Sequence, residues 1–181
     1  MSRFSLFYTA FSISLLSTGY YLVSTAIQES VNDNNSVRFG SGDFFNSIAY
    51  AYDTTNKIMT LGLDIQWRKT LIDAINITPL IQTQTNSNNN NKQTFKLLDL
   101  ATGTCDIAIM TAEILKNNNI ISIKQQPHII ALDPSENMLG LGQGKVDSKG
   151  LSEYIQLVKG NSEAMPQFED GSFDRITMSF G

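Results

Sequence analysis

A doubly wound, Rossmann-like parallel α/β sheet preceded by a pair of helices is the fold that this 181-residue sequence predicts. Two observations carry the prediction. The hydrophobic period is helical up to an asparagine tract, and after it strand-like and helical segments alternate. The strand-like runs are short and continuously apolar, as parallel strands buried on both faces require. Alternation of this kind is the signature of helices layered on a parallel sheet.

Taken in order, Phe44 to Ile58 places Phe44, Phe45, Ile48, Ala49 and Tyr52 on one helical face, with Asp43 as a fitting N-cap. Ile65 to Ile77 repeats the pattern through Ile65, Trp67, Leu71, Ile72 and Ile75, with Asp64 at the N-cap and Gly62 between the helices. Strands are expected at Phe95–Leu100, His128–Leu132, Tyr154–Val158 and Arg175–Phe180, with helices at Ile107–Leu115 and Glu136–Val146. The chain stops directly after the fourth strand. An open parallel sheet ending there leaves an edge unpaired, so the expectation is the N-terminal part of a longer protein.

Three segments fall outside this pattern. Phe4 to Ile27 carries no charge, long enough to cross a bilayer yet diluted by Ser5, Thr9, Ser12, Ser14 and Gly19. Three readings stay open: a cleaved signal ending in Ser24-Thr25-Ala26, a retained anchor, or a buried helix. Residues 28–42 are polar and read as a linker, and 82–93, QTQTNSNNNNKQ, hold nothing apolar and read as a disordered loop. The resulting division is 1–27 signal or anchor, 28–42 linker, 43–81 helix pair, 82–93 loop and 94–181 an incomplete ligand-binding sheet.

Composition removes several kinds of chemistry. Thirteen Lys+Arg against seventeen Asp+Glu give a net charge of −4, and no basic cluster exists to neutralise phosphates, so nucleic acid is not an expected partner. One cysteine, Cys105, and one histidine, His128, leave neither a disulfide framework nor a Cys/His zinc site. No metal ligand set is expected.

What remains lies at the strand ends, where doubly wound sheets bind ligands. After the first strand, Asp99-Leu-Ala-Thr-Gly103-Thr104-Cys105-Asp106 offers a tight glycine turn and the free N–H groups of a helix start. It is neither the dinucleotide glycine motif nor a P-loop. Strand two ends in Asp133, which either accepts two ribose hydroxyls or caps the next helix, a role open equally to Ser135. After strand three, Asn161 and Ser162 offer an amide and a hydroxyl where an adenine edge would lie, or form an ordinary turn. Ser179 puts a hydroxyl at the end of strand four.

Four runs together, FFNSIAYAYDTTNKIMTLGLDIQWRKTLI, LLDLATGTCDIAI, ALDPSENMLGLGQGKV and LVKGNSEAMPQFEDGSFDRITMSFG, resemble the class I S-adenosylmethionine-dependent methyltransferases. More narrowly they resemble the C-methyltransferases of ubiquinone, menaquinone and phylloquinone biosynthesis. The resemblance covers roughly Asp43 to Gly181. It implies S-adenosyl-L-methionine as cofactor, a seven-stranded sheet of which four strands are present, and a prenylated benzoquinol or naphthoquinol as substrate. It implies cofactor-contacting roles for Gly103, Thr104, Asp133, Asn161, Ser162 and Ser179. The family's usual Gly-Thr-Gly-Asp reads Gly103-Thr104-Cys105-Asp106 here, and Cys105 is expected to pack rather than react. The resemblance places Tyr52, Asp53 and Asn56 over the quinol, while no catalytic base is assigned. Trp67 is expected to pack, and Arg68 to make a surface contact. A bilayer-resident substrate implies a membrane surface, in the mitochondrial inner membrane or a plastid, and a quinone-biosynthesis complex as partner. The alternative is a catalytically inactive fragment that keeps a cofactor half-site or serves as a complex partner.

Overall fold

The computed structural model describes residues 43–77, 95–119 and 127–180. The signal or anchor, the linker and the asparagine-rich loop lie outside the described residues. Helix α1 (Asp43–Met59) and helix α2 (Leu63–Ile75) form the expected pair. Then β1 (Leu97–Leu100), α3 (Asp106–Asn117), β2 (Ile129–Asp133), α4 (Glu136–Ser148), β3 (Ile155–Lys159) and β4 (Arg175–Met178) follow in alternation.

All strand pairs are parallel and the order is β3-β2-β1-β4. The chain therefore steps outward from β1 to β3 and returns to the other side of β1. That makes the gap between β1 and β4 the topological switch point, where ligands enter such sheets. Burial follows position in the sheet. The two inner strands are buried almost throughout, while β3 and β4 are each fully buried at a single position, Ile155 and Thr177. The core packs Leu97, Ile129, Ala131 and Ile155 against Ile107, Ala108, Ala112 and Leu115 of α3, with Ile72 and Ile75 of α2 beside them.

Asp64 is not the N-cap of α2. Gly62 occupies that position in a left-handed conformation (φ +80°), and the helix begins two residues earlier than its apolar period suggests. Asp64, in its first turn, is buried, accepts a bond from Thr60 Oγ1 at 3.0 Å and pairs with Arg68 at 2.6 Å. The helix also stops two residues early, at Asn76, whose left-handed backbone (φ +51°) its short polar side chain tolerates. Ser135, not Asp133, caps α4: its Oγ accepts from the Met138 N–H at 3.2 Å.

Arg68 departs from its expected surface role. It is buried, bridging Asp64 on its own helix and Asp106 at the start of α3, the latter at 3.1 Å. Trp67, expected to pack, is half exposed, its ring 6.0 Å from that of Phe180.

Candidate functional site

The loop after β1 alternates left-handed residues, Ala101 (φ +49°), Gly103 (φ +56°) and Cys105 (φ +68°). Two of these are not glycine, and each such residue costs roughly 1–2 kcal/mol, so the surroundings must impose the shape. Two buried carboxylates do so. Asp133 Oδ2 accepts the Gly103 N–H at 2.8 Å, and Asp99 Oδ2 accepts the Thr102 hydroxyl at 2.6 Å. The backbone closes the arrangement, with the Thr102 N–H donating to the Leu132 carbonyl at 3.0 Å.

Asp99 sits in the middle of the sheet, almost fully buried, and its second oxygen accepts the Thr177 hydroxyl at 2.6 Å across the β1–β4 pair. Burial pushes its carboxyl up to about 6, against the lowering effect of the two hydroxyl donors; nearby Asp133 adds to the rise. Asp133 is raised as well, by burial, with the Ser135 and Gly103 N–H groups opposing it. Those two N–H bonds, at 2.9 and 2.8 Å, occupy one lone pair on each oxygen. A carboxylate accepts about four hydrogen bonds, so acceptor capacity for two further hydroxyls remains.

The turn after β3 comes to the same edge through backbone, because the Gly160 N–H donates to the Asp133 carbonyl at 3.1 Å. A Cβ at Gly160 would meet Leu132 Cδ1 at 2.8 Å, so a larger residue there would displace the Leu132 side chain. Asn161 is exposed, and its Oδ1 accepts the Glu163 N–H at 3.0 Å, so the amide is engaged in its own turn. Ser162, next to it, is half buried.

Thr104 is buried, and its hydroxyl donates to Asp53 Oδ1 and accepts from Lys145 Nζ, both at 2.8 Å. Lys145 in turn pairs with Asp53 at 2.5 Å and Asp106 at 2.9 Å. Burial alone would lower the Lys145 ammonium; its two carboxylate partners outweigh that and raise it. Asp53 thus holds the helix pair to α3 and α4, where the resemblance had placed it over a substrate. The backbone carbonyl of Asn56 accepts from Thr60.

Tyr52 does reach the switch point. It lines a cavity of about 30 Å³ there with Arg68, Asp99, Gly103, Ser179 and Phe180. Thr104 lines it too, so three of the six candidates share one cavity. Asp133 joins them through Gly103, and Asn161 and Ser162 occupy the adjoining turn. Cys105 turns away from this edge. Its side chain is fully buried against Gly142 of α4, and burial pushes the thiol up to about 12, so it is a packing residue. Among the described residues no cluster of three metal-ligating side chains occurs.

Asp99, Thr177 and Lys145 had no assigned role from the sequence. An acid inside the apolar run Leu97–Leu100 was the one available signal; Thr177 becomes meaningful only once the register sets it opposite Asp99.

Comparison with known proteins finds both a solved structure and curated relatives. The solved YcgJ protein from Bacillus subtilis superposes with a TM-score of 0.37 at 22% identity, over 56% of this chain and 36% of that one. A ubiquinone/menaquinone biosynthesis C-methyltransferase UbiE from Allorhizobium ampelinum is 34% identical over 139 residues, 77% of this chain and 46% of the relative. The protein of the same name from Brucella suis is 31% identical over 149 residues, 82% and 48% respectively. The chain thus spans about half the length of these relatives. With residues 30–181 matched by the model of the ubiE/COQ5 methyltransferase family, the chain belongs to that family.

Proposed function

We propose that the chain binds S-adenosyl-L-methionine across the carboxyl ends of β1, β2 and β3, as the cofactor half of a C-methyltransferase acting on a prenylated benzoquinol or naphthoquinol of ubiquinone, menaquinone or phylloquinone biosynthesis. The observation that carries the reading is the Gly103–Asp133 bond, which joins the glycine turn and the strand-end acid into one edge. The residues fit such a cofactor. Asp133 keeps acceptor capacity for a ribose diol, and a Cβ at Gly103 would meet nothing within 4 Å, so the turn leaves room for a ligand. The carboxylates of Asp99 and Asp133 suit a ligand that carries a sulfonium and an ammonium.

The cofactor supplies an electrophilic methyl group. The chain's own task is positioning, because in-line transfer to a ring carbon depends on alignment of nucleophile, methyl and leaving sulfur. Asp133 would hold the ribose, with Asn161 and Ser162 beside the adenine. Gly103, Thr104 and Ser179 would border the methionine end. The uncharged stretch Phe4–Ile27 and a lipophilic substrate support a membrane-associated setting in an organelle, the mitochondrial inner membrane or a plastid, within a quinone-biosynthesis complex. Among the described residues no helix is long and apolar enough to cross a membrane.

Calorimetry with S-adenosylhomocysteine tests the reading. Hydrogen bonds to charged groups contribute ~1.5–3 kcal/mol, so Asp133→Asn is expected to weaken binding roughly 10- to 150-fold. Unchanged affinity would discard the ribose assignment, and absence of binding by the unsubstituted chain would discard the function.

A further inference from the structure

Helix α1 meets the loop after β2 through one residue. Asn46, half buried, accepts the Ser135 hydroxyl on its Oδ1 at 2.6 Å and the Asn137 N–H on the same oxygen at 3.1 Å. Its backbone carbonyl accepts from Asn137 Nδ2 at 2.9 Å. A backbone N–H can only donate, so the oxygen of the Asn46 amide is the atom facing α4. The first turn of a helix leaves N–H groups without partners inside the helix. In α4 one of these is satisfied by its own cap, Ser135, and one by α1.

Ser135 is fully buried, and each of its polar groups is committed. Its N–H donates to Asp133 Oδ1 at 2.9 Å, its Oγ accepts the Met138 N–H at 3.2 Å, and its hydroxyl proton goes to Asn46. The other Asp133 oxygen holds the Gly103 N–H at 2.8 Å, so an unbroken chain of hydrogen bonds runs from α1 to the glycine turn. A buried hydroxyl finds an acceptor. Without Asn46, the strong acceptor beside this one is the Asp133 carboxylate, already bonded to the N–H of the same serine.

We propose that Asn46 is a positioning residue for the cofactor site: by taking the Ser135 proton it keeps that proton off the Asp133 carboxylate, whose remaining lone pairs stay open to two ribose hydroxyls. The inference rests on the ribose role of Asp133 in the proposed function. Asn46 acts through Ser135, from a helix that precedes the sheet in the chain. Its Nδ2 has no hydrogen-bond partner among the described residues, so the oxygen alone carries the side-chain contact and an aspartate in its place would keep it.

S-adenosylhomocysteine is titrated by calorimetry into the full chain and three variants. Asn46→Ala is expected to weaken binding about tenfold (~1.4 kcal/mol), and Asn46→Asp to stay within about threefold of the unsubstituted chain. The double variant, Asn46→Ala with Ser135→Ala, removes the diverted hydroxyl and is expected to recover most of the lost affinity while giving up the α4 cap. A merely structural role for Asn46 would make the double variant the weakest binder. That outcome, or an unchanged Asn46→Ala, would overturn the proposal. Titration of the Asp133 carboxyl by carbon-13 NMR, without ligand, reads the same arrangement independently of cofactor binding. A hydroxyl donor favours the ionised form, so the Asp133 pKa should fall in Asn46→Ala and return in the double variant, with the neighbouring charge, Asp99, the same in both. An unmoved or raised Asp133 in Asn46→Ala would overturn the proposal even where the double variant fails to fold. If the unsubstituted chain does not bind S-adenosylhomocysteine, the cofactor assignment falls, and the carboxyl titration still decides the role of Asn46.

Discussion

Placing a methyl group on Gly142 tests how the chain accommodates a cysteine at the start of α3. An ideal Cβ at position 142 would lie 2.5 Å from Cys105 Sγ, 3.3 Å from Cys105 Cβ and 3.3 Å from the Thr104 carbonyl carbon. Ordinary contact is ~3.5–4.0 Å, so the sulfur would have to move by about 1 Å. It has little room to do so, because Cys105 is fully buried and its backbone is already left-handed. Overpacking of this kind costs ~1–3 kcal/mol, against ~1 kcal/mol gained by replacing a helical glycine with alanine. Gly142→Ala alone is therefore expected to destabilise by roughly 0–2 kcal/mol. With Cys105→Gly beneath it the two sulfur-side contacts vanish, leaving the helical gain of up to ~1 kcal/mol offset only by the 3.3 Å approach to Thr104. The same substitution should change sign between backgrounds. Urea unfolding followed by circular dichroism, run on all four members of the cycle, measures a coupling expected at ~1–3 kcal/mol. A Gly142→Ala cost equal in both backgrounds, within ~0.5 kcal/mol, would refute the interlock and reopen the question of where the Cys105 side chain points.

Three further outcomes follow from the site. Thr177→Val removes a donor from buried Asp99 and should cost ~1–3 kcal/mol in urea unfolding, with Thr177→Ser recovering most of it. Asp99, raised from 3.8 to about 6, binds its proton more tightly folded than unfolded, so its contribution to stability is full below about 3.8 and is lost as pH rises through about 6. Two units at 1.36 kcal/mol each make this a fall of ~3 kcal/mol, and Asp99→Asn should flatten stability against pH across that window. Lys145→Met leaves Asp53 and Asp106, each about a third exposed, without their shared cation; after discounting for solvent screening a loss of ~1–2 kcal/mol is expected, and it should shrink in high salt when unfolding is compared at low and high ionic strength.

Local chemistry determined most of the elements. Every strand and helix among the described residues lies within about two residues of where apolar period and turn residues place it, because burial demands a period of two or 3.6 that the residues carry themselves. The strand-end loops followed for the same reason: once β1 and β2 are placed, the Gly103 turn and Asp133 fall at their carboxyl ends. The family resemblance, carried by motif and spacing, was equally legible in the chain.

What each polar group does there was decided by tertiary structure alone. Asp133 and Ser135 were equal candidates for the α4 cap until the Ser135 hydroxyl was found on the Met138 N–H and the Asp133 carboxylate on Gly103. Asp53 and Arg68 read as a site residue and a surface residue, and both ended in one charged network because Lys145 and Asp106, distant in sequence, came within 2.5 and 3.1 Å of them. Thr177 gained its partner from register, which no single strand contains. Burial of an apolar side chain needs only a face, and a face is written in the local period. A buried carboxylate or ammonium needs a particular partner at hydrogen-bond distance, and that partner comes from another part of the chain only when the whole fold brings it there.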